Sequence, residues 1–357
     1  MKVASIRSWG CRRKNLSLFS RKWEYKMLTN EIVIDMGYAQ TVIALRGKGV
    51  VFKEPTVVAL SRQGKKVKYY ASGFDAKRYM RNRDRDPLAV LIHPVKGGLI
   101  EDSDATIWML KDFLRKALPK RGLFSPRPEV IATIACGTSV VERKNYENVL
   151  AEVGLKSPIL METPIAVSSQ LSCDYNLIAT FGASVSDVAI VGPNGIITGC
   201  SVTMCGNAVD EKICSYIAEN YRLGISQARA EELRIKIGSF YQGQMMSADV
   251  SGRNLVDDSP AQAEITSGEI APMLISVLTS FATVVESVSM MCPEKFILDV
   301  YNAGITFCGG FAVTDGVADF LGDRLKMKVL VPKNPDEAVA LGALAFFDDR
   351  DRMYKML

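Results

Sequence analysis

The sequence predicts an α/β protein made of two related halves, because one pattern of strands and turns occurs twice. Residues 31–52 read as three short strands with glycine-bearing turns between them, and residues 176–203 repeat that order. The turn glycines are ten positions apart in both copies: Gly37 and Gly47, then Gly182 and Gly192. The copies lie about 145 residues apart, too far for a solenoid repeat. We therefore expect two domains, each offering a hairpin loop to a shared cleft.

The first loop of each copy has features of a phosphate site. Asp35 ends the first strand, and Gly37 frees the following turn so that amide N–H groups can converge on an anion. A carboxylate at a strand end can hold a metal ion through the water shell of that ion. A glycine in a hairpin is common, so it is the recurrence of the pattern that indicates a cleft binding a phosphate chain from both sides.

Length and composition indicate a globular protein with room for two cores. The chain has 357 residues, 48% of them hydrophobic, and we find no apolar run long enough to span a bilayer. Eight cysteines form no CxxC pair, which is typical of buried thiols in a reducing cytoplasm. His93 is the single histidine, so a histidine-based metal site or a Ser-His triad is not expected.

The positive net charge of +5 comes from the N-terminal segment. Residues 1–26 carry eight Lys or Arg and one Glu, so the rest of the chain has a net charge of −2 and is not expected to bind nucleic acid. Leu16, Phe19 and Trp23 stand at helical spacing among these cations, a pattern that suits an anionic membrane surface. The alternative is that translation starts at Met27 and that the basic segment is a disordered or untranslated extension.

After the first meander, the pattern predicts a small insertion and a return to the main domain. Residues 57–60 read as a strand, and residues 62–85 are a charged insertion rich in Lys and Arg. Apolar positions at helical spacing predict an amphipathic helix that includes Ile107, Leu110, Phe113 and Leu114. The loop over 122–126 then carries Leu123 and Phe124, which either pack on the core or form an exposed wedge for a membrane or a partner.

Strand–turn–helix units follow. Residues 130–135 predict a strand, and Ser139 predicts the N-cap of the next helix, with Glu142 completing a capping box. Further predicted elements are a strand at 159–161, a helix after Gly206, a helix over 228–237, a β-rich excursion over 250–265, a long helix over 271–291, a strand at 305–308 that runs into a glycine turn, and a closing helix over 336–347.

These segments, in this order, resemble MreB, the bacterial actin homologue, across almost all of residues 28–347. IDMGYAQT is similar to the family's IDLGTANT, GKGVVFKEPTVVAL to GKGIVLNEPSVVAI, and IHPVKGGLIED to IRPMKDGVIAD. Further matches follow in the expected order: VVER, LMETPIA, VDEKI, ARAEELRIKIGS, VSGRNLV, EITSGEI and FCGGFA. So many ordered matches are far more specific than a single glycine-rich loop.

The resemblance implies the actin-like duplicated fold, in which a ribonuclease-H-like motif occurs twice and two α/β domains close on a nucleotide cleft. The implied boundaries are a basic N-terminal extension over 1–27, domain I over 28–165 with a small subdomain over about 58–92, domain II over 166–347 with a small subdomain over about 207–268, and a tail over 348–357. The end of domain II, about 330–347, is expected to pack back on domain I.

The resemblance also implies ligands, partners and location. ATP and Mg²⁺ are the expected cofactors, with Asp35 holding the metal through water. The expected partners are further copies of the chain in a filament, other MreB-family proteins, the cell-wall elongation machinery and an anionic membrane surface. The expected location is the cytoplasm, at the inner face of the cell membrane.

The family pattern, carried over position by position, implies the candidate site residues. Those expected at the nucleotide are Asp35, Gly37, Tyr38, Ala39, Gln40, Gly182, Ala183, Ser184, Gly206, Arg234, Gly309 and Gly310. Glu142 matches the acid that orients the attacking water, although the capping box offers it a purely structural role. Leu123 and Phe124 match the loop that inserts into the membrane.

Several positions around this one cleft depart from the family pattern. The second loop reads TFGASVSD where the family has DIGGGTTE, so Thr180 replaces the metal-side Asp, Ala183 and Ser184 replace glycines, and Val185 replaces the first Thr. The other departures are Tyr38 for Thr, Asn207-Ala208 for Asp-Glu, Arg234 for Lys, Lys236 for Glu and Phe311 for Gly. Because phosphoryl transfer depends on positioning and charge compensation, we expect weakened ATP hydrolysis.

Three functions are therefore weighed. The first is a membrane-associated filament protein of the MreB kind that binds ATP and directs cell shape and cell-wall synthesis. The second is a degenerate paralogue that joins filaments of a true MreB as a structural partner without ATPase activity. The third, a chaperone or sugar kinase on the same duplicated fold, is disfavoured because neither a peptide-binding domain nor a sugar-recognition insertion with a catalytic Asp is recognisable.

Overall fold

The computed structural model describes residues 31–64, 66–81, 86–118, 128–241, 243 and 245–357. Within these residues the chain folds into two lobes, each built on a five-stranded sheet. The candidate membrane residues Leu123 and Phe124, and the basic segment 1–26, lie outside the described residues.

The first lobe takes its elements from the chain up to residue 168. Its strands are β1 (Glu31–Met36), β2 (Gln40–Leu45), β3 (Gly49–Pro55), β4 (Val58–Gln63), β5 (Lys66–Ser72), β6 (Val90–Ile92), β7 (Val95–Lys96), β8 (Leu99–Ile100), β9 (Glu129–Ile134) and β10 (Ile159–Glu162). Its helices are α1 (Gly73–Arg81), α2 (Ser103–Ala117), α3 (Val140–Glu152) and α4 (Thr163–Ser168). The main sheet has the order β10-β9-β1-β2-β3, and β4, β5 and β6 form a separate small sheet against which α1 packs.

Side-chain alternation along β1 explains why both faces of the main sheet are covered. Ile32 and Ile34 point to one face, where they share a core with Phe113 of α2. Val33 points to the other face, where it shares a core with Phe346 from the C-terminal region. The sheet is therefore buried on both sides, and the loops at the ends of its strands remain available for a site.

The second lobe follows the same plan. Its strands are β11 (Asn176–Phe181), β12 (Ser186–Gly192), β13 (Gly195–Val202), β14 (Leu223–Gly224), β15 (Ser247–Asn254), β16 (Pro260–Thr266), β17 (Ile305–Cys308) and β18 (Val329–Leu330). The helices in this part of the chain are α5 (Gly206–Tyr221), α6 (Gln227–Ile237), α7 (Ser267–Met290), α8 (Glu294–Ala303), α9 (Val317–Leu325), α10 (Ala338–Ala345) and α11 (Arg350–Met356), with a short 3₁₀ helix at Gly310–Val313. The main sheet has the order β13-β12-β11-β17-β18, and β14, β15 and β16 form a small sheet.

The two main sheets repeat one topology, which confirms the duplication expected from the sequence. In each sheet an antiparallel three-stranded meander is extended on its first strand by a parallel strand, β9 on β1 and β17 on β11. The register repeats as well, since Asp35 pairs with Val42 in the first sheet and Thr180 pairs with Asp187 in the second. The acidic residue of the pair is thus Asp35 on the first strand of the meander in the first lobe, and Asp187 on the second strand of the meander in the second lobe.

The expectation that no apolar run is long enough to span a bilayer is wrong. The helix α7 is long enough and apolar enough to cross a membrane, judged by length and composition alone. Thr266 and Glu269 form a capping box at its start. Leu274, Leu278 and Phe281 lie in the core of the second lobe. The apolar face of α7 is therefore used for packing between the small and main sheets of that lobe.

The C-terminal residues fold as a helix where a tail over 348–357 was expected. The Asp349 carboxylate accepts a hydrogen bond from the amide of Arg352, which caps α11, and Met353 and Met356 are buried. Arg350 donates to carboxylates of the first lobe at 2.5 Å, those of Glu31 and Glu129. Just before it, α10 packs against α4 and β1, so the end of the chain lies on the first lobe.

Candidate functional site

A cavity of about 310 Å³ lies between the lobes, with the loop after β1 on one side and the loop after β11 on the other. The structure brings all of the residues expected at the nucleotide to its walls: Asp35, Gly37, Tyr38, Ala39, Gln40, Gly182, Ala183, Ser184, Gly206, Arg234, Gly309 and Gly310. The cavity is therefore assembled from both halves of the duplication.

The two facing loops have the same backbone geometry. Gly37 N donates to Gln40 O at 3.0 Å, and Gly182 N donates to Val185 O at 3.2 Å. At Gly182 a Cβ atom would lie 2.4 Å from Val185 O, so this tight turn excludes any side chain. Successive backbone amides in tight turns form concavities that bind anions, which suits two loops facing one phosphate chain.

A third loop, after β17, closes the side of the cavity. Gly309 has φ +99°, and a Cβ atom there would lie 2.3 Å from Phe181 O, so only glycine permits this close approach to β11. Phe311, where the family pattern has glycine, is buried, and its ring centroid lies 4.6 Å from that of Phe181. The extra aromatic side chain therefore packs into the second-lobe core and also lines the cavity.

Two carboxyl groups lie at the floor of the cavity. Thr133 donates to Asp35 at 2.6 Å, while removal from water and the charge of Asp187 raise the pKa of Asp35. Asp187 is buried and accepts hydrogen bonds from Thr163, from Ser201 Oγ at 2.5 Å and from Thr180 Oγ1 at 3.2 Å. Burial raises the pKa of Asp187, and these donors oppose that shift.

Sequence reasoning missed Asp187 as a residue of the cavity. A signal was present, because the family's DIGGGTTE also ends on an acid at this position. Asp187 joins the lobes, since Thr163 and the amide of Cys136, which donates at 3.2 Å, belong to the first lobe, whereas Thr180 belongs to the second. It is thus an interdomain acceptor at the base of the cleft.

The side chains that line the cavity are compatible with a Mg²⁺ ion bound through its own water shell. Among the described residues no group of three His, Cys, Asp or Glu could ligate a metal directly. Asp35 nevertheless presents a carboxylate to the cavity, and Thr180 offers a hydroxyl where the family pattern has a carboxylate. Because Mg²⁺ keeps several waters and is commonly bound through one or two carboxylates and substrate phosphates, this donor set fits the ion.

The positive charge of Arg234 is compensated by a carboxylate of the second lobe. Its guanidinium donates to the two oxygens of Asp210 at 2.6 and 3.3 Å, and the two side chains are only 8% and 2% exposed. The guanidinium also lies over the ring of Phe311, 5.3 Å from its centroid. Burial raises the pKa of Asp210, and Arg234 opposes the shift. Arg234 thus offers the cavity a fixed, charge-compensated edge.

Glu142 is placed outside this cavity, in contrast to the residues expected at the nucleotide. It forms the expected capping box: Ser139 N donates to Glu142 Oε2 at 2.9 Å, and Glu142 N donates to Ser139 Oγ at 3.3 Å. Its side chain lines a separate depression beside Leu99 and Val141. The capping role is confirmed, whereas the structure does not bring Glu142 to the walls of the cleft.

Comparison with known proteins gives a consistent result. Residues 29–355 match the family model described as MreB/Mbl protein. The cell shape-determining protein Mbl of Bacillus subtilis (strain 168) is 31% identical over 337 residues, which cover 92% of this chain and 99% of Mbl. The cell shape-determining protein MreB of Escherichia coli (strain K12) is 31% identical over 324 residues, which cover 88% of this chain and 92% of MreB.

Solved structures share the fold. MreB 5 of Spiroplasma citri bound to AMPPNP has a TM-score of 0.80 at 24% identity, covering 91% of this chain and 98% of that protein. A MamK double helical filament has a TM-score of 0.73 at 17% identity, covering 89% of this chain and 99% of the MamK chain. Together with the repeated sheets, these similarities confirm the actin-like duplicated fold.

Proposed function

Because the chain belongs to the MreB/Mbl family, we propose that it is a bacterial actin-like cytoskeletal protein that forms filaments and directs cell shape and cell-wall synthesis. The observation that supports this best is the cavity between the lobes, where every residue assigned to the nucleotide comes together. The relatives named above are cell shape-determining proteins, and the MamK structure is a filament, which favours the same role here.

ATP with Mg²⁺ is the proposed ligand of the cleft. MreB 5 binds AMPPNP and ADP, which supports a nucleotide in the matching cavity of this chain. The turns at Gly37 and Gly182 would hold the phosphates from both lobes, and Asp35 would hold Mg²⁺ through water. Bound Mg²⁺ supplies positive charge against the phosphates, while Arg234 and Asp210 fix the shape of the wall near the adenosine.

Hydrolysis is proposed to be weak. Thr180 stands where the family pattern has a metal-side carboxylate, and Val185 stands where it has a Thr hydroxyl. Glu142 is held in the capping box of α3, away from the cavity, so it would have to leave that interaction to orient water. These observations also favour the second candidate function, a structural partner of a true MreB without ATPase activity.

The proposed location is the cytoplasm, at the inner face of the cell membrane. Leu123 and Phe124, and the basic segment 1–26, are the proposed contacts with anionic lipid. Partners would be further copies of the chain, other MreB-family proteins and the elongation machinery. Nucleic acid is not proposed, because residues 27–357 carry a net charge of −2.

Phosphate release by filaments tests the nucleotide proposal. The purified protein should sediment as filaments with Mg-ATP and release phosphate slowly. Restoring the loop with Thr180→Asp, Ala183→Gly and Ser184→Gly should raise phosphate release at least tenfold, about 1.4 kcal/mol of barrier. Glu142→Ala in the restored chain should abolish the gain. A vigorous rate in the original protein, or no rise on restoration, contradicts weakened hydrolysis.

Lipid pelleting tests the membrane proposal. The double variant Leu123→Ser, Phe124→Ser should lose binding to anionic vesicles, because two apolar side chains would no longer be buried, a loss of roughly 3–6 kcal/mol per subunit. The matched control is Leu255→Ser, Val256→Ser in the turn between β15 and β16, where both side chains are already exposed. Equal pelleting of the first variant and the original assigns lipid binding elsewhere.

A further inference from the structure

The small sheet of the first lobe carries a concentration of positive charge. Residues 58–92 hold nine Lys or Arg and three Asp, a net charge of +6, whereas residues 27–357 as a whole carry −2. None of the described residues of this segment lines the cavity between the lobes. The positive charge therefore belongs to a surface separate from the nucleotide cleft.

One side of helix α1 presents an aromatic ring and three cations: Phe74, Lys77, Arg78 and Arg81. These positions follow the spacing i, i+3, i+4 and i+7, so they share one face of the helix. All four are exposed, and Phe74 is 55% exposed. The opposite face packs on the small sheet, where Ala76 is fully buried. An exposed apolar side chain among cations on one helix is typical of a helix that lies on an anionic membrane surface.

Most of the charge on this face is not neutralised by the described part of the chain. Lys77 and Arg81 form no ion pair with any residue that the structure describes. Arg78 pairs with Asp75 at 3.3 Å, but the two side chains are 78% and 48% exposed, so the pair is weak. The cations of α1 are therefore available to an anionic partner.

Two lysines extend the charge onto the neighbouring edge strand β5. Lys68 Nζ lies 4.8 Å from the ring centroid of Tyr70, and that ring stacks on Tyr79 of α1 with centroids 4.6 Å apart. Lys66 stands two residues before Lys68, on the same face of the strand, and both lysines are exposed. Together these residues form one cationic surface, the α1 face: Lys66, Lys68, Phe74, Lys77, Arg78 and Arg81.

The α1 face lies next to the point where the proposed membrane loop begins. Near the end of α2, Lys116 Nζ donates to a carboxylate oxygen of Asp75, in the first turn of α1, at 3.0 Å. Leu118 is the last described residue before the loop over 122–126. The chain therefore leaves α2 towards that loop from beside α1.

We propose that the α1 face is an electrostatic contact with the anionic surface of a lipid bilayer. A Lys or Arg near such a surface strengthens binding by about fivefold. The neighbouring membrane loop favours lipid over an acidic protein as the partner, because both contacts would meet one surface. This inference rests on the proposed membrane association and assigns a further site to it.

The first test is co-sedimentation of the full-length protein with vesicles of phosphatidylglycerol and phosphatidylcholine in equal parts. The variant removes the three cations of α1: Lys77→Gln, Arg78→Gln and Arg81→Gln. The matched control removes three exposed cations from helices of the second lobe: Lys212→Gln, Arg229→Gln and Lys295→Gln. The α1 variant should bind at least tenfold more weakly, since three cations at about fivefold each allow up to about a hundredfold. The control should bind like the original.

A local readout separates the α1 face from other lipid contacts of the chain. Phe74→Trp places a tryptophan on this face, and Leu255→Trp places one at a matched position, since Leu255 is 57% exposed. Brominated lipid in the same vesicles should quench the tryptophan added by Phe74→Trp and leave that added by Leu255→Trp unquenched, each measured as the difference from the original protein.

The outcomes distinguish this inference from the membrane proposal on which it rests. Equal binding of the α1 variant and the original, or equal quenching at positions 74 and 255, overturns the α1 face; if Leu123→Ser, Phe124→Ser still loses pelleting, the membrane proposal stands. If the original does not pellet with these vesicles, both fail.

Two further outcomes are also decisive. If the α1 variant pellets less but the tryptophan at position 74 is not quenched, the face meets the acidic surface of another protein copy, and the lipid contact is overturned. If the α1 variant fails to fold by circular dichroism, the quenching comparison decides alone, because Phe74→Trp changes only an exposed ring.

Discussion

Asp210→Asn should be among the most destabilising single changes around the cavity, because it leaves the Arg234 guanidinium buried without a counter-charge. The pair is almost withdrawn from water, with side chains 8% and 2% exposed, and its hydrogen bonds measure 2.6 and 3.3 Å. Breaking a buried pair of this kind by removing one partner costs about 3–5 kcal/mol. We expect that loss in the free energy of unfolding, measured by urea denaturation followed by circular dichroism.

The remaining corners of a double-mutant cycle separate charge burial from packing. Arg234→Met should cost less than Asp210→Asn, because burial already raises the pKa of Asp210 and the carboxyl can take up a proton. The double variant Asp210→Asn, Arg234→Met should cost less than Asp210→Asn alone, about 1–3 kcal/mol, since no buried charge remains and only the Asn amide lacks a partner. The exposed pair Arg253 and Asp258, joined at 2.7 Å, gives a control in which every corner stays within about 0.5 kcal/mol.

Two results would refute this reasoning. If Asp210→Asn loses less than about 1 kcal/mol, the buried guanidinium finds water or another partner that the geometry does not predict. If the double variant costs as much as the two single variants together, the pair contributes through packing and not through its charges.

Three further predictions follow from the same structure. Asp187→Ala should lower the free energy of unfolding in urea by about 3–5 kcal/mol, because four donors, including Thr180, lose their buried acceptor. Thr180→Val removes only one of these donors and should lower the same free energy by about 1 kcal/mol. Gly309→Ala should prevent folding or lower the melting temperature by more than 10 °C, because a Cβ atom would lie 2.3 Å from a backbone oxygen. Gly47→Ala is the control: its φ is +78° but its Cβ would lie in open space, so the free energy of unfolding should fall by only about 1 kcal/mol. Burial lowers the pKa of His93 from 6.5, so just below pH 6.5 the unfolded chain binds a proton that the folded chain does not. The free energy of unfolding should therefore fall as pH decreases from 6.5, by up to about 1.4 kcal/mol per pH unit. His93→Gln should flatten that slope.

Each of these has a contradicting outcome. A loss for Asp187→Ala no larger than for Thr180→Val would mean that the four donors find other acceptors. A mild effect of Gly309→Ala would mean that the loop after β17 can move away from β11. An unchanged pH slope in His93→Gln would mean that protonation of His93 does not cause the loss of stability in acid.

The duplicated fold could be predicted from sequence because its signals are local. Strand alternation and the ten-residue glycine spacing are properties of short segments, and the sheets repeat them. The Ser139–Glu142 capping box was predicted and found for the same reason. That pattern could not show that Glu142 stays away from the cavity, because the position of α3 relative to the cleft depends on packing between elements distant in sequence.

The residues that sequence reasoning missed depend on long-range pairing. The hairpin register places Asp187 opposite Thr180, but its first-lobe donors Thr163 and Cys136 lie 24 and 51 residues earlier in the chain. The helix α11 is stabilised by Arg350, whose carboxylate partners lie more than two hundred residues earlier in the chain. The family pattern likewise presented Tyr38 as a loss for the phosphate loop, whereas the stacking of its ring on His93, 55 residues later in the chain, is visible only once the first lobe is folded.

The most direct measurement of the central claim is calorimetric titration of the protein with AMPPNP and Mg²⁺. Saturable binding of one nucleotide per chain is predicted, and Gly310→Leu should abolish it, because Gly310 lines the cavity and no heavy atom lies within 4 Å of its Cβ position. Gly268→Leu, in the first turn of α7 and away from the cavity, should bind like the original. Absence of binding, or binding that survives Gly310→Leu, would contradict a nucleotide site between the lobes.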